Sequence, residues 1–218
     1  MHLNKTVTLQ KTVQKKLSAF FDDNKKNYIK IGILGTHGTG KTTLGHTIMS
    51  YLKENHFIVG WVSEIVRDRP AAVKDLSAFL SQYWVLNSQI NKEIERQSLN
   101  KVIVTDRTVI DNFAYAKKSA ANSISKKDLK VLEHICKNWS STYDFLFYTQ
   151  ITKKPIEDDN FRSTNQRYQL EIDRMIRNII KEWELEVVEL SGKYDERFDR
   201  VLETLNNNPK LNLKKYIK

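Results

Sequence analysis

Short runs of apolar residues recur along the chain between longer stretches of mixed character. The runs cover residues 29–34, 57–64, 101–106, 143–150 and 184–192, and they read IKIGIL, FIVGWVSE, KVIVTD, YDFLFYTQ and ELEVVELSG. β-branched and aromatic residues are abundant in them, so the pattern predicts five short, buried strands. Strands that alternate with helices predict an α/β fold, in which a parallel sheet is covered by helices on both faces.

The stretches between these runs have the lengths of helices. Pro70 would open the stretch 69–100, which is predicted to form one or two helices, and Ser125 would cap the start of a later helix. Ligands of such a fold bind at the carboxyl ends of the strands, so motifs at the strand ends should share one crevice. The predicted helices cover residues 41–52, 69–100, 109–118, 126–139, 165–183 and 194–205.

The two ends of the chain differ from its body. An amphipathic helix is predicted over residues 8–21, because its apolar residues recur at helical spacing, and it would pack on the body or on a partner. These residues are Leu9, Val13, Leu17 and Phe20. The predicted organisation is a basic N-terminal extension over 1–28, a catalytic domain over 29–206 and a basic, polar tail over 207–218.

The net charge of +10 is concentrated at these ends. Residues 1–30 carry a net +5 and residues 207–218 a net +4, whereas residues 31–206 carry only +1. Basic tails of this kind are usually solvated. Nucleic acid bound through the tails is therefore a secondary hypothesis, and a small molecule is the first expectation for the partner.

The composition is that of one domain with a sizeable core, since 40% of the 218 residues are hydrophobic. Cys136 is the single cysteine, which excludes an internal disulfide and suits a reducing, cytoplasmic setting. No apolar stretch approaches the length of a membrane span, and the N-terminus lacks the apolar core of a signal peptide. We expect no membrane partner, and the sequence leaves a homodimer open.

Glycine is scarce in the chain but clustered after the first predicted strand. Five of the seven glycines fall within residues 32–45. Residues 35–42, GTHGTGKT, match the pattern G-x-x-x-x-G-K-[ST] between a strand and a helix. Glycines allow positive φ angles, and the N–H groups of such a loop surround an anion at the positive end of the next helix. The segment, called the phosphate loop below, is predicted to bind the phosphates of ATP or GTP.

Two positions of the phosphate loop have individual predicted roles. Lys41 would reach the β- and γ-phosphates, and the Thr42 hydroxyl would hold Mg²⁺. The predicted nucleotide-binding residues of this region are Gly35, Thr36, His37, Gly38, Thr39, Gly40, Lys41, Thr42 and Thr43.

Charged residues follow the second and third predicted strands. Glu64 would accept a proton from an acceptor hydroxyl, and Arg67 or Arg69 would hold a phosphate or orient that carboxylate. After the third strand, Asp106 would hold Mg²⁺ directly or through water, and Arg107 follows it.

A polar stretch follows the fourth predicted strand and precedes a long helix. Arg162 and Arg167 would close over the phosphates as part of a lid at about 152–164. Their positive charge would then face the negative charge that develops on the transferred phosphoryl group. Arg174 and Arg177 lie farther along the helix and are predicted to be solvated.

The segment VTDRTVIDNFAYA resembles the Asp-Arg-Ser/Tyr segment of deoxynucleoside and thymidylate kinases. The order of Glu64-x-x-Arg67, Asp106, PIEDDNFRS and VVELSGKYDERFDRVLETL is similar to that in the ribosylnicotinamide-kinase domain of bifunctional NAD-salvage proteins. The resemblance covers about residues 29–206. It implies a three-layer P-loop NTPase fold of the nucleotide-kinase type, with a five-stranded parallel sheet.

The resemblance also implies roles for individual residues. Glu64 or Asp106 serves as the base or the metal-binding acid, Arg107 contacts phosphate, and Arg162 and Arg167 form the lid. The loop 191–196, which contains Gly192, borders the adenine.

These observations predict an ATP- and Mg²⁺-dependent kinase acting on a ribosylnicotinamide-like compound, or on a deoxynucleoside or its nucleotide. Tyr83, Trp84 and Tyr115 would stack on the ring of this acceptor, although aromatic residues at helical spacing also form cores. A thymidylate-like monophosphate kinase, with Arg67 or Arg69 on the acceptor phosphate, is an alternative. The others are a kinase acting on polynucleotide ends or modified bases and a nucleotide-dependent regulatory ATPase.

Overall fold

A five-stranded parallel sheet forms the centre of the protein. The computed structural model describes residues 28–74, 76–152, 166–208 and 211. The strand order is β2-β3-β1-β4-β5, and every neighbouring pair is parallel. The sheet therefore confirms the predicted α/β fold. The strands are β1 (Ile29–Leu34), β2 (Val59–Val62), β3 (Val102–Asp106), β4 (Phe145–Thr149) and β5 (Val188–Leu190).

Seven α-helices connect and cover the strands in the described residues. A short 3₁₀-helix, Ile65–Asp68, also follows β2. The predicted stretch 69–100 forms two helices, because Ser77 interrupts it as an N-cap that accepts a hydrogen bond from the Leu80 N–H. The α-helices are α1 (Lys41–Glu54), α2 (Ala71–Lys74), α3 (Ala78–Leu99), α4 (Val109–Ser123), α5 (Lys126–Ser140), α6 (Gln166–Glu182) and α7 (Tyr194–Asn206).

Side chains alternate between the two faces of the sheet and form two large cores, and a smaller apolar cluster surrounds Val62. On one face, Phe145 and Phe147 of β4 pack with apolar residues of α1 and α7. On the other face, Leu146 and Tyr148 pack with residues of α3, α4, α5 and α6. Successive residues of a strand point to opposite faces, so one strand serves both cores. The result is the three-layer arrangement that the sequence predicts.

Several predictions fall on residues beyond the described ones. The amphipathic helix over 8–21 and most of the lid, including Arg162, lie outside the described residues. Leu211, within the predicted tail, is 2% exposed and belongs to the core shared with α1 and α7. In the part of the chain that the structure describes, no helix has the length and apolar character to cross a membrane.

Candidate active site

The phosphate loop connects β1 to α1 at the carboxyl edge of the sheet. Gly35, Gly38 and Gly40 all have positive φ angles, of 142°, 71° and 83°. A Cβ atom at Gly35 would lie 2.4 Å from Thr149 Oγ1, so both the backbone conformation and the space require glycine there. The helix α1 begins directly after the last of these glycines, at Lys41. The loop thus has the backbone geometry of an anion-binding site at a helix N-terminus.

The side chains of Lys41 and Thr42, at the start of α1, donate hydrogen bonds to different acceptors. The Lys41 ammonium donates to the Thr36 carbonyl at 2.7 Å, so it lies against the phosphate loop. Thr42 Oγ1 donates to Asp106 Oδ2 at 2.6 Å. This contact brings together the two predicted metal ligands, Thr42 at the start of α1 and Asp106 at the end of β3. Asp106 is only 2% exposed.

The pair of oxygens from Thr42 and Asp106 fits a hard cation such as Mg²⁺. Mg²⁺ is commonly held by one or two protein oxygens, with water and phosphate oxygens completing its shell. No cluster of three or more His, Cys, Asp or Glu side chains suited to a metal occurs within residues 28–74, 76–152 and 166–208. Two protein oxygens of this kind suit a cation that also binds phosphate oxygens.

Burial and, to a smaller extent, the nearby Arg107 guanidinium lower the pKa of Lys41 from 10.5 to about 8. The carboxylates of Asp111, Asp106 and Glu64 act in the opposite direction. The lowered pKa means that the charged form of this buried ammonium is disfavoured. Phosphate oxygens would stabilise the charged form, so the environment of Lys41 suits a polyanion.

Glu64 lies between two guanidinium groups. Arg107 Nε donates to Glu64 Oε1 at 2.5 Å, and Arg67 Nε donates to Glu64 Oε2 at 3.0 Å. Burial alone would raise the pKa of Glu64, but Arg107, Arg67 and Lys41 outweigh it and lower the pKa from 4.5 to about 2. Glu64 is therefore an anion at neutral pH, and both of its oxygens have partners. The structure joins the ends of β2 and β3 through this carboxylate.

We expect the Glu64 carboxylate to stabilise the fold in a pH-dependent manner. Because its pKa is depressed on folding, its contribution is complete above pH 4.5 and is lost as the pH falls toward 2. The shift corresponds to about 3 kcal/mol of unfolding free energy. Urea unfolding of wild type and Glu64→Gln should therefore differ most at neutral pH, with a difference that shrinks on acidification. A difference independent of pH would contradict the ion-pair assignment.

Arg107 occupies an unusual backbone conformation directly after β3. Its φ angle is 82°, its side chain is 6% exposed, and its Nη1 atom is buried without a hydrogen-bond partner in the described residues. Burial opposes the charged form, but Tyr115 and the Glu64 carboxylate outweigh it and raise the pKa of Arg107. Such a permanently charged donor, with one N–H group unused, fits an anionic ligand.

Aromatic rings adjoin Arg107 on the side of α4 and α6. The Arg107 guanidinium lies over the Tyr115 ring, with its carbon 4.9 Å from the centroid. The Tyr115 hydroxyl is 3.1 Å from His37 Nδ1, and the His37 ring lies 5.8 Å from that of Tyr168. The structure thus brings Tyr115 and His37 together with Arg107. Stacking of Tyr115 on an acceptor ring stays a prediction.

Other predicted residues lie farther from this centre. Tyr83 is exposed on α3 with its ring against Phe79, and Trp84 packs at the core around Val62, which favours a packing role for Trp84. Arg69 donates to Ser81 Oγ at 2.8 Å and so connects the segment after β2 to α3.

Arg167 lies at the start of α6 with 89% of its side chain exposed. Its Nε atom is 3.6 Å from Glu171 Oε1 in the same helix. Two residues on, Gln169 Nε2 donates to the His37 carbonyl at 2.8 Å. The beginning of α6 therefore touches the phosphate loop, although the described contacts of Arg167 do not.

Asp111 is a buried residue of the site that the sequence analysis missed. Its carboxylate accepts hydrogen bonds from the Gly35 N–H at 2.9 Å and from the Thr108 N–H at 2.8 Å. It thereby joins the phosphate loop to the start of α4, where Thr108 and Asp111 form a capping box. The capping-box pattern is visible in the sequence, but it predicts a helix start and not the second contact with Gly35.

Gly192 lies in the turn before α7, with a φ angle of 82°. Its carbonyl accepts a hydrogen bond from Arg197 Nε at 3.1 Å, and Arg197 Nη1 donates to the carbonyl of Thr39 in the phosphate loop at 3.0 Å. The loop predicted to border the adenine is therefore connected to the phosphate loop through one side chain.

A family model described as an AAA domain matches residues 30–197. Among solved structures, deoxyadenosine kinase from M. mycoides with the products dCMP and dCDP bound is similar, at 18% identity and a TM-score of 0.63, over 83% of this chain and 100% of that chain. The NadR protein in complex with NR is similar at 19% identity and a TM-score of 0.66, over 81% of this chain and 51% of that chain.

The NadR protein in complex with NAD and AMP-PNP has a TM-score of 0.60 at 19% identity, over 81% of this chain and 49% of that chain. At such identities the likeness shows the fold alone, and this fold is the one that the sequence resemblance implies. No curated protein sequence is significantly similar to the chain.

Proposed function

The chain belongs to the AAA domain family. We propose that it is an ATP- or GTP-dependent, Mg²⁺-dependent kinase. Its acceptor is a nucleoside, a nucleotide or a related small molecule such as a ribosylnicotinamide-like compound. The proposal rests on three hydrogen-bonded contacts at one edge of the sheet. The Lys41 ammonium contacts the phosphate loop, Thr42 contacts Asp106, and Arg107 contacts Glu64.

These pairs supply the parts that phosphoryl transfer needs. The phosphate loop and Lys41 would bind the β- and γ-phosphates, and Thr42 and Asp106 would hold Mg²⁺, which neutralises charge on the phosphates when bound. Arg107 would direct its unused N–H group at a phosphate oxygen. Catalysis of this kind rests on positioning and charge rather than on a covalent enzyme intermediate.

Glu64 is the proposed acceptor of the hydroxyl proton. As the acceptor oxygen bonds to the γ-phosphorus, the bond from phosphorus to the bridging oxygen breaks and the nucleoside diphosphate leaves. A carboxylate with a pKa of about 2 is a weak base, so it would take the proton only late in this process. Such timing suits a loose transition state, in which the attacking oxygen needs little activation.

The fold of the similar structures supports a small nucleoside-like acceptor. One of them is a deoxyadenosine kinase with dCMP and dCDP bound, and another is a NadR protein in complex with NR. The near-neutral charge of residues 31–206 also supports a small molecule over a polynucleotide.

A panel of acceptors tests the proposal. Wild-type protein with ATP or GTP and Mg²⁺ is incubated with ribosylnicotinamide, deoxynucleosides and their monophosphates, and each product is identified by mass. We expect one acceptor class to gain one phosphoryl group. Phosphorylation of monophosphates alone would identify a thymidylate-like kinase, whereas hydrolysis without any phosphorylated product would contradict the proposal and favour a regulatory ATPase.

Glu64→Gln should lower turnover by ~10²-fold or more while nucleotide affinity changes little. The amide keeps the size of the side chain but cannot take the proton, and it no longer neutralises Arg107 and Arg67. Steady-state kinetics and nucleotide titration give the two quantities. The exposed Glu54 at the end of α1 offers a control, and Glu54→Gln should behave as wild type. Unchanged turnover in Glu64→Gln would move the role of base to Asp106 or to the substrate.

Arg167→Ala should lower turnover by about tenfold, with a smaller effect on nucleotide affinity, if Arg167 acts in the transition state. Arg174 is also exposed on α6, which makes Arg174→Ala a matched control with an expected wild-type rate. Arg167→Lys should restore only part of the loss, because lysine lacks the planar fork. Equal, wild-type turnover of Arg167→Ala and Arg174→Ala would assign Arg167 to surface charge.

A further inference from the structure

Arg197 connects three separate segments at the nucleotide side of the candidate site. Its Nη1 atom donates to the Thr39 carbonyl at 3.0 Å, its Nη2 atom to the Gln150 carbonyl at 2.9 Å, and its Nε atom to the Gly192 carbonyl at 3.1 Å. These carbonyls belong to the phosphate loop, to the residue after β4 and to the turn before α7. One planar guanidinium therefore spans backbone groups that are far apart in sequence, with three nitrogens in a fixed fork that a single ammonium nitrogen does not reproduce.

The charge of Arg197 has no acidic partner within ion-pair distance in the described residues. Other arginines around the site have one: Arg107 and Arg67 contact Glu64, and Arg177 contacts Asp173. Arg197 is 6% exposed, and its acceptors within the described residues are three neutral carbonyls. Burial lowers the pKa of Arg197. A buried cation that meets no carboxylate in this part of the chain is costly, so an anion brought to it would be stabilised.

The local sequence fixes the position of this side chain. Gly192 has a positive φ angle, and a Cβ atom there would lie 2.0 Å from Glu196 Oε2. Glu196 in turn accepts a hydrogen bond from the Lys193 N–H at 2.8 Å, which caps α7 and places Arg197 in its first turn. The turn thus directs both the Gly192 carbonyl and the Arg197 side chain toward the phosphate loop.

We propose that Arg197 is a positioning residue of the nucleotide site, and that the phosphates of the bound nucleotide supply its missing negative charge. Its hydrogen bonds hold Thr39 in register with the ends of β4 and β5, and its charge lies behind the phosphate loop. The inference rests on the proposed function, because it requires that the loop binds a nucleoside triphosphate. It adds a cation to the site from outside the motif that the sequence identifies.

Binding of ATP and of inorganic tripolyphosphate to wild type, Arg197→Met and Arg197→Lys tests this inference. Arg200→Met is the matched control, since Arg200 lies on the same helix, is 57% exposed and pairs with Glu203 on the surface. We expect Arg197→Met to raise the Kd of both ligands by at least about tenfold, and Arg197→Lys to raise it less because it keeps the charge. Arg200→Met should stay within about twofold of wild type.

Kinetics distinguish positioning at the nucleotide from a general structural role. In Arg197→Met the KM for ATP should rise, while the KM for the acceptor identified by the panel should stay constant. Thermal unfolding of each variant shows whether it is folded. A folded Arg197→Met protein with wild-type affinity for tripolyphosphate, or with both KM values raised equally, would overturn the inference. If Arg197→Met does not fold, wild-type tripolyphosphate affinity in Arg197→Lys would overturn it.

The wild-type measurement separates this inference from the proposed function. A wild-type protein that binds neither ATP nor tripolyphosphate would contradict the proposed function itself. A wild-type protein that binds both, together with an Arg197→Met variant that binds them equally well, would overturn only the role of Arg197.

Discussion

Replacing Lys41 with alanine should lower turnover by at least ~10³-fold, which is several kcal/mol of lost transition-state stabilisation. The Lys41 ammonium is buried and lies against the phosphate loop through its hydrogen bond to Thr36. In this position it would neutralise charge on the β- and γ-phosphates, and alanine removes that charge completely. The fold should persist, because burial already disfavours the charged lysine and its loss exposes no apolar core.

The control for this prediction is Lys53→Ala, because Lys53 is exposed in the last turn of the same helix. It should turn over at the wild-type rate. Circular dichroism and thermal unfolding check that Lys41→Ala is folded. Near-normal turnover of a folded Lys41→Ala protein would refute the phosphate-binding role of the loop.

Asp106→Ala should lower turnover by ~10²- to 10³-fold and raise the Mg²⁺ concentration needed for activity. Asp106 is 2% exposed and accepts the Thr42 hydroxyl hydrogen bond at 2.6 Å, so its carboxylate is fixed beside the predicted metal position. Alanine removes one of the two protein oxygens there. Turnover measured across a range of Mg²⁺ concentrations gives both effects.

Asp68→Ala serves as the surface control for Asp106, because Asp68 is half exposed and pairs with Lys92 on the surface. Its rate and its Mg²⁺ dependence should match those of wild type. An Asp106→Ala protein with an unchanged Mg²⁺ dependence would show that the metal is held elsewhere, even if its rate were low.

Local patterns in the sequence were sufficient to predict the sheet and the phosphate loop. The strand β1 and the glycines after it carry their signal within a few residues, and the structure has them as predicted. Element ends were harder. The helix α4 continues to Ser123, whereas the sequence predicted an end at 118. The prediction ended early because the last residues of the helix lack the apolar spacing that marks a buried face. The strand β5 is shorter than its apolar run because it pairs only with β4.

Contacts between distant residues could not be predicted from local patterns. Lys30 lies in the first apolar run, and its complete burial depends on an ion pair of 2.8 Å with Glu93 in α3. Likewise the sequence identified Glu64 and Arg107 separately, but their contact requires β2 and β3 to be neighbours in the sheet. Arg197 lies in the segment VVELSGKYDERFDRVLETL, but the sequence assigned this arginine no role. Its importance follows only from the three carbonyl groups that the fold brings to it.

We propose that the chain transfers a phosphoryl group from a nucleoside triphosphate to a nucleoside-like acceptor. One reaction tests this claim by measuring both the nucleoside diphosphate and the phosphorylated acceptor formed by wild type and by Lys41→Ala. We predict equal amounts of the two products with wild type and neither product above background with Lys41→Ala. Diphosphate formed together with inorganic phosphate, without any phosphorylated acceptor across the whole panel, would contradict the claim.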